Sequence, residues 1–274
     1  MGTSSSNKGP RPGSPLIPPW ADPLPEGPLP PDTDAAPPEG GAVPEGDERG
    51  NYPATLNLTG FRRALGNAVA QGNSPNTGRQ LRRTLRRYAS ATGGGAAAAR
   101  RLASPARSGG RVFTLFGTGS ATGPTGRTIT LASLDGQSVR TVVDRIVQAL
   151  VPVDGDRDKV AAALQDALST ALNGAETFDQ NAMTPDVLVN MMVIYLRDIV
   201  FQTIIADSGR AFQRTEDIEE IAGMERAILA LVGQVVDDQA RPMLTQREPL
   251  SEAQVVEIQT RAIAEVWDVW EQSR

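Results

Sequence analysis

The chain has 274 residues, 39% of them hydrophobic, contains neither cysteine nor histidine, and carries a formal net charge of -5. The two absences exclude disulfides, thiolate nucleophiles, Cys/His zinc sites, Ser-His-Asp triads and histidine acid-base catalysis together. The modest net charge conceals three blocks: residues 1–52 hold three basic and eight acidic groups, residues 53–134 hold twelve arginines and no carboxylate, and residues 135–274 hold twelve basic and twenty-four acidic groups.

Fourteen of the 21 prolines fall within the first 53 residues. Such a stretch buries too little apolar surface to offset its ordering entropy, so residues 1–53 are expected to form a disordered, polyproline-II-like tail. Residues 54–136 read as an arginine-rich helical segment with a Gly/Ser/Thr-rich connector, and residues 137–274 as an acidic helical core. The fold class expected is all-α, an irregular helical bundle behind the tail.

In chain order, "NLTGFRRALGNAVA" sets Phe61, Leu65, Ala68 and Val69 on one helical face, with Asn57 or Thr59 as cap. "RQLRRTLRRYASATGGG" places Leu81, Leu85 and Tyr88 at i, i+4, i+7 among arginines and stops at Gly93 to Gly95. "AAAARRLA" adds a short third helix. From Ser104 to Gly136 small and polar residues dominate, and "RVFTLFGTGSATGPTGRTITL" reads as strand, glycine loop, strand. "SVRTVVDRIVQAL" is a helix stopped by Pro152, and "DRDKVAAALQDALSTALNG" aligns Val160, Leu164, Leu168 and Leu172. Thr184, Pro185 and Asp186 form a cap, an N1 proline and a first-turn acid for the most apolar stretch, Val187 to Ala206. That stretch has membrane-spanning length, but Arg197 and Asp198 at its middle would cost about 2.5 to 3.5 kcal/mol each in a bilayer. A buried bundle helix, no membrane contact and a cytoplasmic location are the expectation; no secretion signal is visible either. Another helix carries Ile218, Ile221, Ile228, Leu231 and Val235. The last opens with the Ser251 to Gln254 capping box and bears Trp267 and Trp270 as core or interface anchors.

Three features invite a chemical reading. Arg79, Arg82, Arg83, Arg86 and Arg87 crowd one helix, with Arg79, Arg83, Arg86 and Arg87 close together around one side; planar guanidinium forks suit phosphate. They are candidates for contact with nucleic acid or a protein partner, and the acidic C-terminal half is an alternative counter-charge. The glycines from Gly117 to Gly123 superficially suggest a dinucleotide loop, but Pro124 and Gly126 follow where a helix N-terminus is needed, so no nucleotide cofactor is expected there. Adjacent acids such as Glu219-Glu220 and Asp237-Asp238 point about 100° apart on a helix, so no metal site is expected from either pair.

The head, "MGTSSS", matches a myristoylation pattern, although the arginine-biased, cysteine-free composition has a bacterial look that makes the match accidental. Once Met1 is removed, Gly2 presents an unhindered α-amine that ionises near neutral pH. Thr3 and Ser4 add no bulk, and the proline-rich stalk extends at about 3.1 Å per residue. Trp20 is a docking anchor within that stalk. The bland alternative is a tail that merely solubilises or tethers the bundle.

The stretches "MGTSSSNKGPRPGSPLIPPWAD", "RQLRRTLRRYASATGGGAAAARRLAS", "LDGQSVRTVVDRIVQALVP" and "FDQNAMTPDVLVNMMVIYLRDIV" resemble the B component of the Qat anti-phage defence operon of bacteria. The resemblance implies a non-enzymatic subunit, encoded with an ATPase, a QueC-like deazaguanine enzyme and a TatD-like nuclease. Relatives of that deazaguanine enzyme in other defence systems join a deazaguanine base to a protein's N-terminal glycine. Gly2 is the position matching that acceptor, with Thr3, Ser4 and Trp20 as the partner-binding stalk. Lys8 and Arg11 depart from the more glycine-rich heads of the family. No cofactor is implied.

Overall fold

Apolar side chains spaced three or four apart can be buried only if each helix finds a neighbour, and the computed structural model shows how they do so. It describes residues 56–72, 76–172, 175–245 and 250–273; the proline-rich tail, with Gly2, Thr3, Ser4 and Trp20, lies outside them. Among the described residues there are nine α-helices: α1 (Thr59–Ala70), α2 (Thr77–Ala91), α3 (Gly94–Arg101), α4 (Ala103–Thr118), α5 (Val139–Leu150), α6 (Arg157–Ala171), α7 (Pro185–Ser208), α8 (Ile218–Leu244) and α9 (Glu252–Gln272). Two three-residue strands, β1 (Ser120–Thr122) and β2 (Thr128–Thr130), pair antiparallel with Ala121 opposite Ile129. The fold is therefore an all-α bundle with one minimal hairpin.

Two helices organise the packing. α7 lies against α6 and α8 along its length and touches α4, while α9 receives α2, α3, α4 and α8. α7 is long and apolar enough to span a membrane, yet Met192, Ile199, Val200 and Ile204 are fully buried within the protein. Its mid-helix charges are paired: Arg197 Nε donates to Asp198 at 2.7 Å and Arg197 Nη2 to Asp166 at 2.9 Å. The buried bundle helix expected from the sequence is what forms.

Local signals set the helix ends. The Thr184 hydroxyl accepts from the Val187 amide with Pro185 at N1, and Ser251 and Gln254 complete the capping box. α5 stops at Leu150, two residues before Pro152. Asn57 supplies the side chain at the start of α1, accepting from the Thr59 amide at 3.3 Å.

The structure corrects three expectations. "RVFTLF" is the second half of α4, not a strand, with Val112 and Leu115 buried at helical spacing. The preceding "SPARSGG", expected to be connector, is its first half. Its glycines give way to neighbours: a Cβ on Gly109 would collide with Gln259 and Tyr195, and one on Gly110 would lie 2.6 Å from Val256 Cγ2. Tertiary packing overrides the β-propensity and the small-residue signal. Ile218 is 80% exposed and belongs to no core stripe; of the residues expected there Ile228 is buried, and α8 buries Met224, Val232, Val236, Ala240 and Leu244 beside it.

Candidate functional site

α2 is fixed from its inner side. Leu81, Leu85 and Tyr88 are buried, and Tyr88 stands in a row of rings, Phe61, Tyr88, Trp267 and Trp270, with centroids 4.8, 5.8 and 5.0 Å apart. The Trp267 indole donates to Thr92 Oγ1 at 2.9 Å, just past the C-terminus of α2. Such tilted ring pairs add about 0.5 to 1.5 kcal/mol each beyond area burial. Helical geometry then turns Arg79, Arg82, Arg83, Arg86 and Arg87 outward, and all five are exposed.

They divide between two flanks. Arg83 and Arg87, one turn apart, line a cavity of about 160 Å³ between α1 and α2 with Asn67, Gln71 and Gln80. Arg82 shares a depression with Leu231, Asp238 and Trp270 on α8 and α9, and Arg86 reaches the Ser273 carbonyl at 3.5 Å. None of the five takes part in an ion pair among the described residues. Two other arginines of the same block are compensated. Arg101 grips Asp207 through two bonds of 2.5 and 2.8 Å, and Arg111 lies 3.8 Å from Glu252.

Asp207 collects further partners: the Tyr88 hydroxyl donates to its carboxylate at 2.7 Å and Arg62 Nε donates to its carbonyl at 2.8 Å. Burial pushes the Asp207 carboxyl up, but the hydrogen bonds from Arg101 and Tyr88 outweigh it and hold it below the usual carboxylate range. Burial raises the Tyr88 phenol well above its ordinary value, with the Asp207 charge adding to it. Asp198 moves the other way. Burial pushes it up to about 6, against the hydrogen bond from Arg197 and with help from neighbouring Asp166.

A second concavity, about 350 Å³, is lined by Arg62 and Arg63 of α1, Arg210 and Arg214 around the 3-10 turn Ala211–Arg214, together with Thr59 and Ala211. Sequence reasoning misses Arg210 and Arg214 because they stand in the acid-rich half; their four-residue spacing is the one hint. Elsewhere, Asp237 pairs with Arg241 and Glu220 accepts from Thr215. Among the described residues no three His, Cys, Asp or Glu side chains gather as a metal set. The Gly117 to Gly123 run forms the end of α4 and the start of the hairpin, with the Gly123 amide bonded to the Arg127 carbonyl.

A family model described as Qat anti-phage system associated protein QatB matches residues 93–270. No curated protein and no solved structure matches the chain. The matched segment, well over half of the chain, runs from the Gly93 turn to Trp270 near the end of α9. Arg210 and Arg214 fall inside it, while α1, α2 and the proline-rich head precede it. The chain thus belongs to the QatB family of proteins associated with the Qat anti-phage system.

Proposed function

We propose that the chain is a non-enzymatic subunit of the Qat defence assembly, a helical scaffold that presents its N-terminal Gly2 for modification by a QueC-like deazaguanine enzyme. The ATPase and the TatD-like nuclease of the same operon are its other partners, in the cytoplasm. Family membership over residues 93–270 carries the reading. The residue inventory supports it: there is no histidine or cysteine, and of the two lysines Lys159 is engaged with Asp156 at 2.8 Å. A proline-rich head that opens on small residues suits delivery of a terminal amine into a partner's pocket.

Intact-mass measurement of the protein purified after co-expression with the whole operon tests the acceptor role. The expected result is the Met-clipped mass plus one deazaguanine-sized adduct located at Gly2 by fragmentation. Loss of the adduct and of phage protection in Gly2→Trp is the companion outcome. A plain clipped mass in cells that resist phage rejects the role, as does full protection by Gly2→Trp.

A second reading, nucleic-acid binding along α2, is favoured by one observation: Arg79, Arg82, Arg83, Arg86 and Arg87 are all exposed and lack ion-pair partners among the described residues.

A further inference from the structure

We infer that the concavity lined by Arg62, Arg63, Arg210 and Arg214 is a binding site for a compact polyphosphate group, such as the phosphate chain of a nucleoside di- or triphosphate. The inference stands apart from the scaffold reading and uses different residues from the arginine face of α2.

The site is built by two elements reaching across to each other. Arg62 leaves α1 and lies over Gly209, where a Cβ would come within 3.3 Å of its Nε; Gly209 also has a φ of +57°, which favours glycine. Arg214 reaches back over α1, its Cγ 3.0 Å from where a Cβ on buried Gly66 would stand. Two glycines thus make room for two arginine side chains. Arg62 is held further by its bond to the Asp207 carbonyl.

Charge is concentrated, and of the four arginines Arg62 is the one whose charge acts on the nearby Asp207 carboxylate. The nearest carboxylate in this network, Asp207, is already taken by the two bonds from Arg101 and the Tyr88 hydroxyl. No acid lines the concavity, and Arg63, Arg210 and Arg214 have no ion pair among the described residues. Four guanidinium groups around one space call for a ligand with several negative charges and paired oxygens, which planar forks bind two at a time. The volume is within the range of small-molecule sites, about 300 to 1,000 Å³. No aromatic side chain lines it, so nothing offers a base a stacking platform. Recognition therefore falls on the phosphates and not on the base. An extended polynucleotide backbone would be better served by the long row on α2 than by this short cluster of four.

Calorimetric titration of the purified full chain at low salt tests the site with tripolyphosphate, ATP, adenosine and a single-stranded oligonucleotide. Tripolyphosphate and ATP should bind with similar affinity, and adenosine should not bind. The double variant Arg63→Gln/Arg210→Gln should weaken both anions at least about tenfold, while Arg82→Gln/Arg86→Gln on α2 leaves them unchanged. Arg63 and Arg210 are exposed, so matching thermal melts will certify the fold; Arg210→Lys, which keeps charge but loses the fork, should fall between. Failure of tripolyphosphate to bind at millimolar concentration overturns the inference. Equal weakening in the two double variants overturns it as well, since it would report diffuse charge. So would a dependence on Arg210 that appears only with a single-stranded oligonucleotide.

Discussion

Asp207 and Asp198 lie on the same helix, and their surroundings send their proton affinities in opposite directions. Asp207 is stabilised as the anion, so its contribution to stability is present above its unfolded value near pH 4 and is lost as pH falls through its lowered folded value. Asp198 is stabilised in the protonated form, so its contribution is present below about pH 4 and is lost as pH rises through about 6. Melting temperatures measured across this range should show Asp198→Asn removing a decline between about pH 4 and 6, with the wild-type slope retained as the contrary result. Asp207→Asn leaves Arg101 without its bidentate acceptor; because that arginine is partly exposed, the expected loss is about 2 to 3 kcal/mol at neutral pH by denaturant titration. The same variant should loosen Arg62 only slightly, since that bond goes to the main chain.

At the scale of elements, helix separation is set by residues that carry no side chain. Gly95 of α3 would place a Cβ 2.5 Å from the Ala264 carbonyl oxygen, and Gly109 and Gly110 of α4 meet Gln259 and Val256. α3 and α4 approach α9 closely because these positions are glycine. Gly109→Ala should destabilise the protein by about 1 to 3 kcal/mol through overpacking. Gly117→Ala, in the same helix but facing open space, should instead stabilise by about 0.5 to 1 kcal/mol by reducing the entropy of the unfolded chain. Comparable effects of the two substitutions in thermal unfolding would contradict the packing account. Gln259 shows what this closeness demands: it is fully buried and neither end of its amide has a hydrogen-bond partner among the described residues.

For the whole molecule, the layout of charge decides where partners can act. Acids of the C-terminal half reach Arg101 and Arg111, but the outer face of α2 keeps its positive charge. If α2 tracks a nucleic-acid backbone, affinity for a single strand should fall with salt at a logarithmic slope of about 0.7 per phosphate contacted. Replacing Arg82, Arg83, Arg86 and Arg87 by glutamine should flatten that slope in a binding titration. No binding at low salt, or an unchanged slope, removes nucleic acid as the partner of this face. Apart from α4, the helices were legible in sequence. Phe61, Leu65, Leu81, Leu85 and Tyr88 repeat at helical spacing, and Thr184 and Ser251 announce helix starts, because periodic burial and capping are local properties. The outward direction of the α2 arginines follows from the same periodicity. Beyond sequence reasoning were the helical state of "SPARSGGRVFTLF", the division of the arginines between two flanks, and the meeting of Arg62 and Arg63 with Arg210 and Arg214. Composition and spacing by themselves determined the all-α class, the exclusion of cysteine and histidine chemistry, and the charge blocks. Only the tertiary structure decided which small residues were contact points and which arginines faced one another, since both depend on approach between segments more than a hundred residues apart, which no local pattern records.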